Sequence, residues 1–176
     1  MPSRQSFPIE QESVGVISDT HLEEASQALL AAVRRHLAGC ERILHAGDIT
    51  EAPVLEALGG LFRVEAVRGN MDFGSGTSGL PRRRLVQVGG LTVGLIHGSG
   101  GPSGQYERLL EAFGDDPPPV IVHGHSHRAG DLVFRGVRFL NPGSATAPRG
   151  DAPPTIGRLT VAGGVVIGFE ILPLFG

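Results

Sequence analysis

Val14-Gly-Val-Ile17 runs almost directly into Asp19-Thr-His21, so an apolar, β-rich stretch ends in a carboxylate and an imidazole two residues apart. Short β-branched runs of this kind read as buried strands. The arrangement recurs: Arg42-Ile-Leu-His45 precedes Gly47-Asp48, residues 62–67 precede Gly69-Asn70, residues 91–96 precede His97, and Val120-Ile-Val122 precedes His125-Ser-His127. Ligands of open α/β sheets collect outside the carboxyl ends of the strands, so these clusters are expected to converge on one rim. In extended backbone, residues two apart point to one side, so Asp19 with His21, and His125 with His127, would each grip one centre. A glycine beside Asp48, Asn70, His97 and His125 lets the chain turn sharply close to an ion.

Helical patterns separate the strands. Residues 24–38 place Ala25, Leu29, Ala32, Val33 and Leu37 at three-to-four spacing, a shorter helix is read at 52–58, and another at 106–113. Strand and helix alternating through the first half predict a parallel sheet covered by helices. The C-terminal part reads differently: 131–140, 159–162 and 165–172 are strands, with Gly163-Gly164 as a hairpin turn. Gly89-Gly90 joins 85–88 to 91–96 in the same way. The expected fold class is α/β, a layered αββα sandwich with two mixed β-sheets packed face to face and flanking helices. The 176 residues suit one domain, read as 13–176 behind a flexible tail over 1–12, with 147–154 as a surface loop.

The donors at the strand ends are three oxygens, Asp19, Asp48 and Asn70, and four imidazoles, His21, His97, His125 and His127. That set is too large for one ion. Mixed oxygen and nitrogen donors without a thiolate suit two borderline divalent ions, Mn first, with Fe, Zn or Ni as alternatives, and one carboxylate shared between them. Two such ions depress the pKa of a bridging water, which becomes the nucleophile.

Asp19-x-His21, Gly47-Asp48, Gly69-Asn70-x-Asp72, His97-Gly98 and Gly124-His125-Ser126-His127 resemble, in order, the motifs of calcineurin-like metallophosphoesterases. Asn141-Pro-Gly-Ser144 resembles a turn of their small bacterial and archaeal phosphodiesterase subgroup. The resemblance implies one metal at Asp19, His21, Asp48 and His127, and a second at Asp48, Asn70, His97 and His125. Asp48 would bridge them, and Asp48, Asn70 and His97 would carry the catalysis. Many members of the superfamily place histidine directly after the asparagine, where it binds phosphate or protonates the leaving group; this chain has Met71. Methionine cannot act as an acid, so good leaving groups should react best. Asp72, His45 and His123 are read as supports standing behind the ligands.

The resulting expectation is a two-metal phosphoesterase, a phosphodiesterase ahead of a phosphomonoesterase, acting on a small-molecule ester. A metal-retaining scaffold of the same fold, or purely structural metals, are the alternatives. A formal charge of -3 implies neither nucleic acid nor an anionic membrane as partner. The sequence offers no secretory leader pattern and no apolar run of membrane-spanning length, so a cytoplasmic protein is expected, with a homodimer as a weaker expectation. Cys40 reads as a small buried apolar residue and His36 as solvated. Gly74-Ser-Gly-Thr-Ser-Gly79 fits a dinucleotide fingerprint only on paper, because Leu80-Pro81 follows instead of a helix; it is read as a mobile loop beside the cleft. Arg82-Arg83-Arg84 reads first as a solvated strand edge and second as a phosphate contact.

Overall fold

The computed structural model describes residues 11–175, which form two five-stranded sheets and three helices. In chain order the elements are β1 (Gln11–Ile17), α1 (Gln27–His36), β2 (Arg42–His45), α2 (Ala52–Gly59), β3 (Arg63–Ala66), β4 (Arg83–Val88), β5 (Leu91–Ile96), α3 (Gln105–Glu111), β6 (Val120–Val122), β7 (Ala129–Phe134), β8 (Val137–Pro142), β9 (Thr155–Ala162) and β10 (Val165–Pro173). One sheet runs β10-β9-β1-β2-β3 and the other β4-β5-β6-β8-β7. β1, β2 and β3 are parallel, as are β5, β6 and β8, while the hairpins β4-β5, β7-β8 and β9-β10 are antiparallel. This is the αββα sandwich expected from the strand and helix pattern.

Alternating side chains create three apolar layers. Val14, Val16 and Leu44 face Val93, Leu95 and Val122 of the opposing sheet and form the inner core. Ile17 and Ile43 point the other way, onto Leu29 and Val33 of α1, Leu37 at its C-cap, and Val54 and Leu58 of α2. Leu109 of α3 covers Ile121 and Phe139 on the far side of the second sheet. Each fully buried aliphatic side chain contributes on the order of 1.5–3 kcal/mol. Gly15 is small for a packing reason: a Cβ there would lie 2.3 Å from Leu37 Cδ1, so the glycine lets α1 sit against β1. Cys40 is buried in that same layer, and burial raises its thiol pKa, in keeping with an inert thiol.

Several boundaries differ from the sequence reading. The tail expected over 1–12 falls outside the described residues as far as Glu10, but Gln11 and Glu12 belong to β1. Glu12 accepts from Arg42 at 2.7 Å and from the Gly89 amide at 2.8 Å, which ties the strand start to β2 and the β4-β5 turn. Helix α1 begins three residues later than its periodicity suggests because Ser26 accepts the Leu29 amide and caps it. The single strand read over 131–140 is a hairpin turning at Arg135-Gly136, both at positive φ. The 74–79 loop is anchored: buried Thr77 donates to the Thr50 carbonyl at 3.0 Å. His36 is half-buried, its ring 3.3 Å from the Leu174 carbonyl.

Candidate metal centre

The carboxyl ends of β1, β2 and β3 meet those of β5 and β6 at one edge of the sandwich. Main-chain bonds lock the loops together there: Asp19 N to the Gly47 carbonyl at 3.0 Å, His21 N to the Asp48 carbonyl at 3.0 Å, and Gly124 N to the His97 carbonyl at 3.0 Å. His125 N donates to Asp19 Oδ2 at 3.1 Å, and His97 Nδ1 to the Ala46 carbonyl at 2.7 Å, so each sheet reaches across to the other.

The loops are not extended. Asp19, His21, Asp48, Thr50, His125 and His127 have φ between 43° and 85°. The left-handed region costs a non-glycine residue roughly 1 kcal/mol or more, and such residues gather at functional sites. The extended i, i+2 geometry expected of the two ligand pairs is therefore corrected: they share a side because alternate residues are left-handed. Two glycines make this possible sterically. A Cβ on Gly69 would lie 2.1 Å from Asp48 Oδ1, and one on Gly124 would lie 1.9 Å from Ser18 Oγ.

Both carboxylates are split in function. Asp19 Oδ2 accepts from Ser18 Oγ at 2.7 Å and from the His125 amide, whereas Oδ1 is buried with no hydrogen-bond partner among the described residues. Around Oδ1 stand His127 Nε2 at 3.3 Å, His21 Nε2 at 3.7 Å and His97 Nε2 at 3.9 Å. Asp48 Oδ1 accepts the Met71 amide at 2.7 Å, and Oδ2 lies 3.2 Å from His97 Nε2 and 3.6 Å from His21 Nε2. Asn70 Oδ1 is 3.1 Å from His97 Nε2 and 3.0 Å from His125 Nδ1. His21 and His127 bring their Nε2 atoms to 3.2 Å. All seven expected donors thus lie around one centre, and Asp19-His21-His127 and Asp19-Asp48-His97 are each compact enough to hold a divalent ion.

Outer hydrogen bonds aim the rings. The carbonyls of Ala46 and Ala147 face Nδ1 of His97 and His127, leaving each Nε2 lone pair for the centre. Burial works against ionising Asp19, but the nearby His21, His97 and His127 imidazoles and the Ser18 hydroxyl lower its pKa. Burial likewise opposes Asp48, where His97 and the Met71 amide prevail and lower it. His21 is raised by the Asp19 carboxylate beside it and by Asp48, and His97 is raised by Asp48 and Asp19 against strong burial. Buried carboxylates surrounded by imidazoles, with one orphaned oxygen, fit a cation and leave a metal-free site poorly satisfied.

The expected supports divide. Asp72 is fully buried and accepts four backbone amides, from Asp48 (3.1 Å), Ile49 (2.8 Å), Thr50 (2.8 Å) and Gly69 (2.7 Å). It clamps the β2 and β3 loops. His45 lies buried behind Asp48, accepting the Gly47 amide at 3.2 Å, and burial holds its pKa down at about 4. His123 is buried against Tyr106 and Phe139, also lowered by burial to about 4, and packs behind the site without facing its centre.

Sequence reasoning missed Ser18, Ser144 and Thr146. Ser144 Oγ donates to the Asp19 carbonyl at 2.7 Å, and Thr146 Oγ1 to the Thr20 carbonyl at 2.5 Å. Asn141 Nδ2 donates to the Gly124 carbonyl at 3.0 Å, so the Asn-Pro-Gly-Ser turn braces both histidine loops. The order of that turn was the only trace of these roles in the sequence.

A calcineurin-like phosphoesterase superfamily model matches residues 13–164, which contain all seven candidate donors. The chain belongs to this superfamily. A probable metallophosphoesterase of Methanothermobacter thermautotrophicus is 39% identical over 136 residues, 77% of this chain and 78% of that protein. Wild-type Vps29 of Entamoeba histolytica, solved as a zinc complex, is 27% identical with a TM-score of 0.66, covering 92% of this chain and 99% of its own. A novel archaeal phosphodiesterase shares the fold at 20% identity, TM-score 0.68, with 91% and 99% covered. In this calcineurin-like protein the family's divalent metals have an Asp/His constellation to occupy.

Proposed function

We infer that the protein is a two-metal phosphodiesterase acting on a small-molecule ester. The observation that carries this reading is the division of labour within Asp19 and Asp48: one oxygen of each is held by hydrogen bonds, and the other faces the imidazoles. Asp19, His21, Asp48 and His127 would hold one ion and Asp48, Asn70, His97 and His125 the other. When bound, divalent ions polarise phosphoryl oxygens and lower the pKa of an attacking water. The chain's own work is positional. His97 and His127 present Nε2 because their Nδ1 protons are held by carbonyls, and Asp48 Oδ2 sits between His97 and His21.

The preference for diesters rests on Met71, half-exposed beside Asn70, whose thioether offers no proton to a leaving group. The archaeal phosphodiesterase of the same fold supports it, and a metal-holding scaffold is the second reading, for which the zinc complex of Vps29 supports only the metal. Mn is the favoured ion. A cytoplasmic location is proposed alongside, and no helix of the described residues is long and apolar enough to cross a membrane. Homodimerisation would cover Val165 and Ile167, exposed on edge strand β10. The decisive experiment adds Mn, Ni or Zn to metal-stripped protein and assays a bis-aryl and a mono-aryl phosphate. Metal-dependent turnover favouring the diester is expected; two bound ions with turnover of neither ester would leave the scaffold reading.

A further inference from the structure

Next to the metal centre lies a cavity of about 360 Å³ that shares Asn70 and His97 with it. Arg68, Arg82 and Arg83 line this cavity, over an apolar floor that includes Leu109. Their convergence is built into the fold: the Arg68 amide donates to the Pro81 carbonyl at 2.8 Å, which holds the end of β3 against the start of β4. Arg83 also lies 5.8 Å above the Phe113 ring, which orders its guanidinium at the rim.

None of the three has a carboxylate partner among the described residues, although Arg42 and Arg138 are both paired. The chain carries 18 acidic against 15 basic side chains, so acids are not scarce. Arg108, the fourth arginine of the lining, gives its guanidinium to the Ser99 and Ser103 carbonyls; gathering the other three, unpaired among the described residues, around one cavity costs mutual repulsion, which an anion in the cavity would reverse. Guanidinium forks match phosphate oxygens better than any other common side chain does. The volume exceeds that of a phosphate alone and leaves room for the group that links it to a scissile ester.

We propose that Arg68, Arg82 and Arg83 form a second anion subsite, and that the substrate is a phosphoester carrying a further phosphate on the arm that lies over His97. This assignment rests on the reading of the adjoining centre as a phosphoesterase site. It is separable by experiment. The p-nitrophenyl ester of thymidine 5′-phosphate and the same ester bearing a 3′-phosphate differ only in the second anion. With Mn present, kcat/KM is expected to favour the 3′-phosphorylated ester by about tenfold or more, equivalent to about 1.4 kcal/mol. In Arg82→Ala/Arg83→Ala that preference should shrink toward unity. No preference in the wild type, or a preference that survives in the double variant, overturns the subsite. If neither ester is turned over, the phosphoesterase reading has failed, and calorimetry of metal-stripped protein with inorganic pyrophosphate judges the subsite alone. Saturable binding weakened at least tenfold in the double variant upholds it; absent or unchanged binding refutes it.

Discussion

Met71 holds Asp48: its backbone amide donates to Asp48 Oδ1 at 2.7 Å, while its side chain stands 47% exposed. The main chain at this position orients the Asp48 carboxylate whatever side chain it bears, so Met71→His should fold and bind metal as the parent does. The added imidazole would stand beside Asn70 as a proton donor. We expect turnover of alkyl phosphate esters to rise severalfold while p-nitrophenyl esters change little, because only poor leaving groups need the proton. A uniform change across both ester types would refute a leaving-group role for this position.

Asp48→Ala removes the carboxylate that faces both His97 and His21. Turnover should fall at least a thousandfold and bound metal should drop below two ions per chain, measured by elemental analysis after dialysis. An active Asp48→Ala protein would exclude the bridging assignment.

Asp72→Ala strands four backbone amides from two loops. Lost charge-assisted bonds of this kind cost about 1.5–3 kcal/mol each before relaxation and water entry, so a net loss of about 3–5 kcal/mol is expected. Thermal unfolding of the metal-free protein is the measurement, and a loss under about 1 kcal/mol would show that the clamp is dispensable.

Gly69→Ala and Gly124→Ala place a Cβ against Asp48 and Ser18, at 2.1 Å and 1.9 Å. Gly130→Ala meets nothing within 4 Å. The first two should weaken metal affinity tenfold or more by displacing the Asp48 and Asp19 loops, and the third should leave it unchanged. Isothermal titration with Mn separates them.

His45 should make stability depend on pH. Its folded pKa of about 4 lies below the ordinary 6.5, so the unfolded chain binds more protons between those values. Stability is complete above the unfolded pKa and falls as pH drops toward 4, at a slope of up to about 1.4 kcal/mol per pH unit for one histidine. Denaturant melts of His45→Asn and the parent between pH 7 and 4.5 test this; an identical slope would exclude His45 as a contributor.

The candidate donors were legible because local rules carried them. Each metal-type residue follows an apolar run, and runs of that composition become strands whose carboxyl ends share an edge. The Gly89-Gly90 and Gly163-Gly164 hairpins were legible for the same reason, since their turns depend on adjacent residues alone. The 131–140 hairpin was missed because Arg135, a non-glycine residue at positive φ, disguised the turn before Gly136.

The sequence by itself determined which atoms could hold metal and at which edge of the sandwich they would stand. Tertiary structure alone decided how those atoms are aimed: Asp19 keeps one oxygen without a hydrogen-bond partner among the described residues, while His125, 106 positions away, donates its amide to the other. It also decided that Asp72 serves the main chain of two loops, and that Arg68 stands beside Arg82 and Arg83. Strand formation is a local property of composition and alternation, whereas the direction of a lone pair depends on partners that only the packing of two sheets brings into contact.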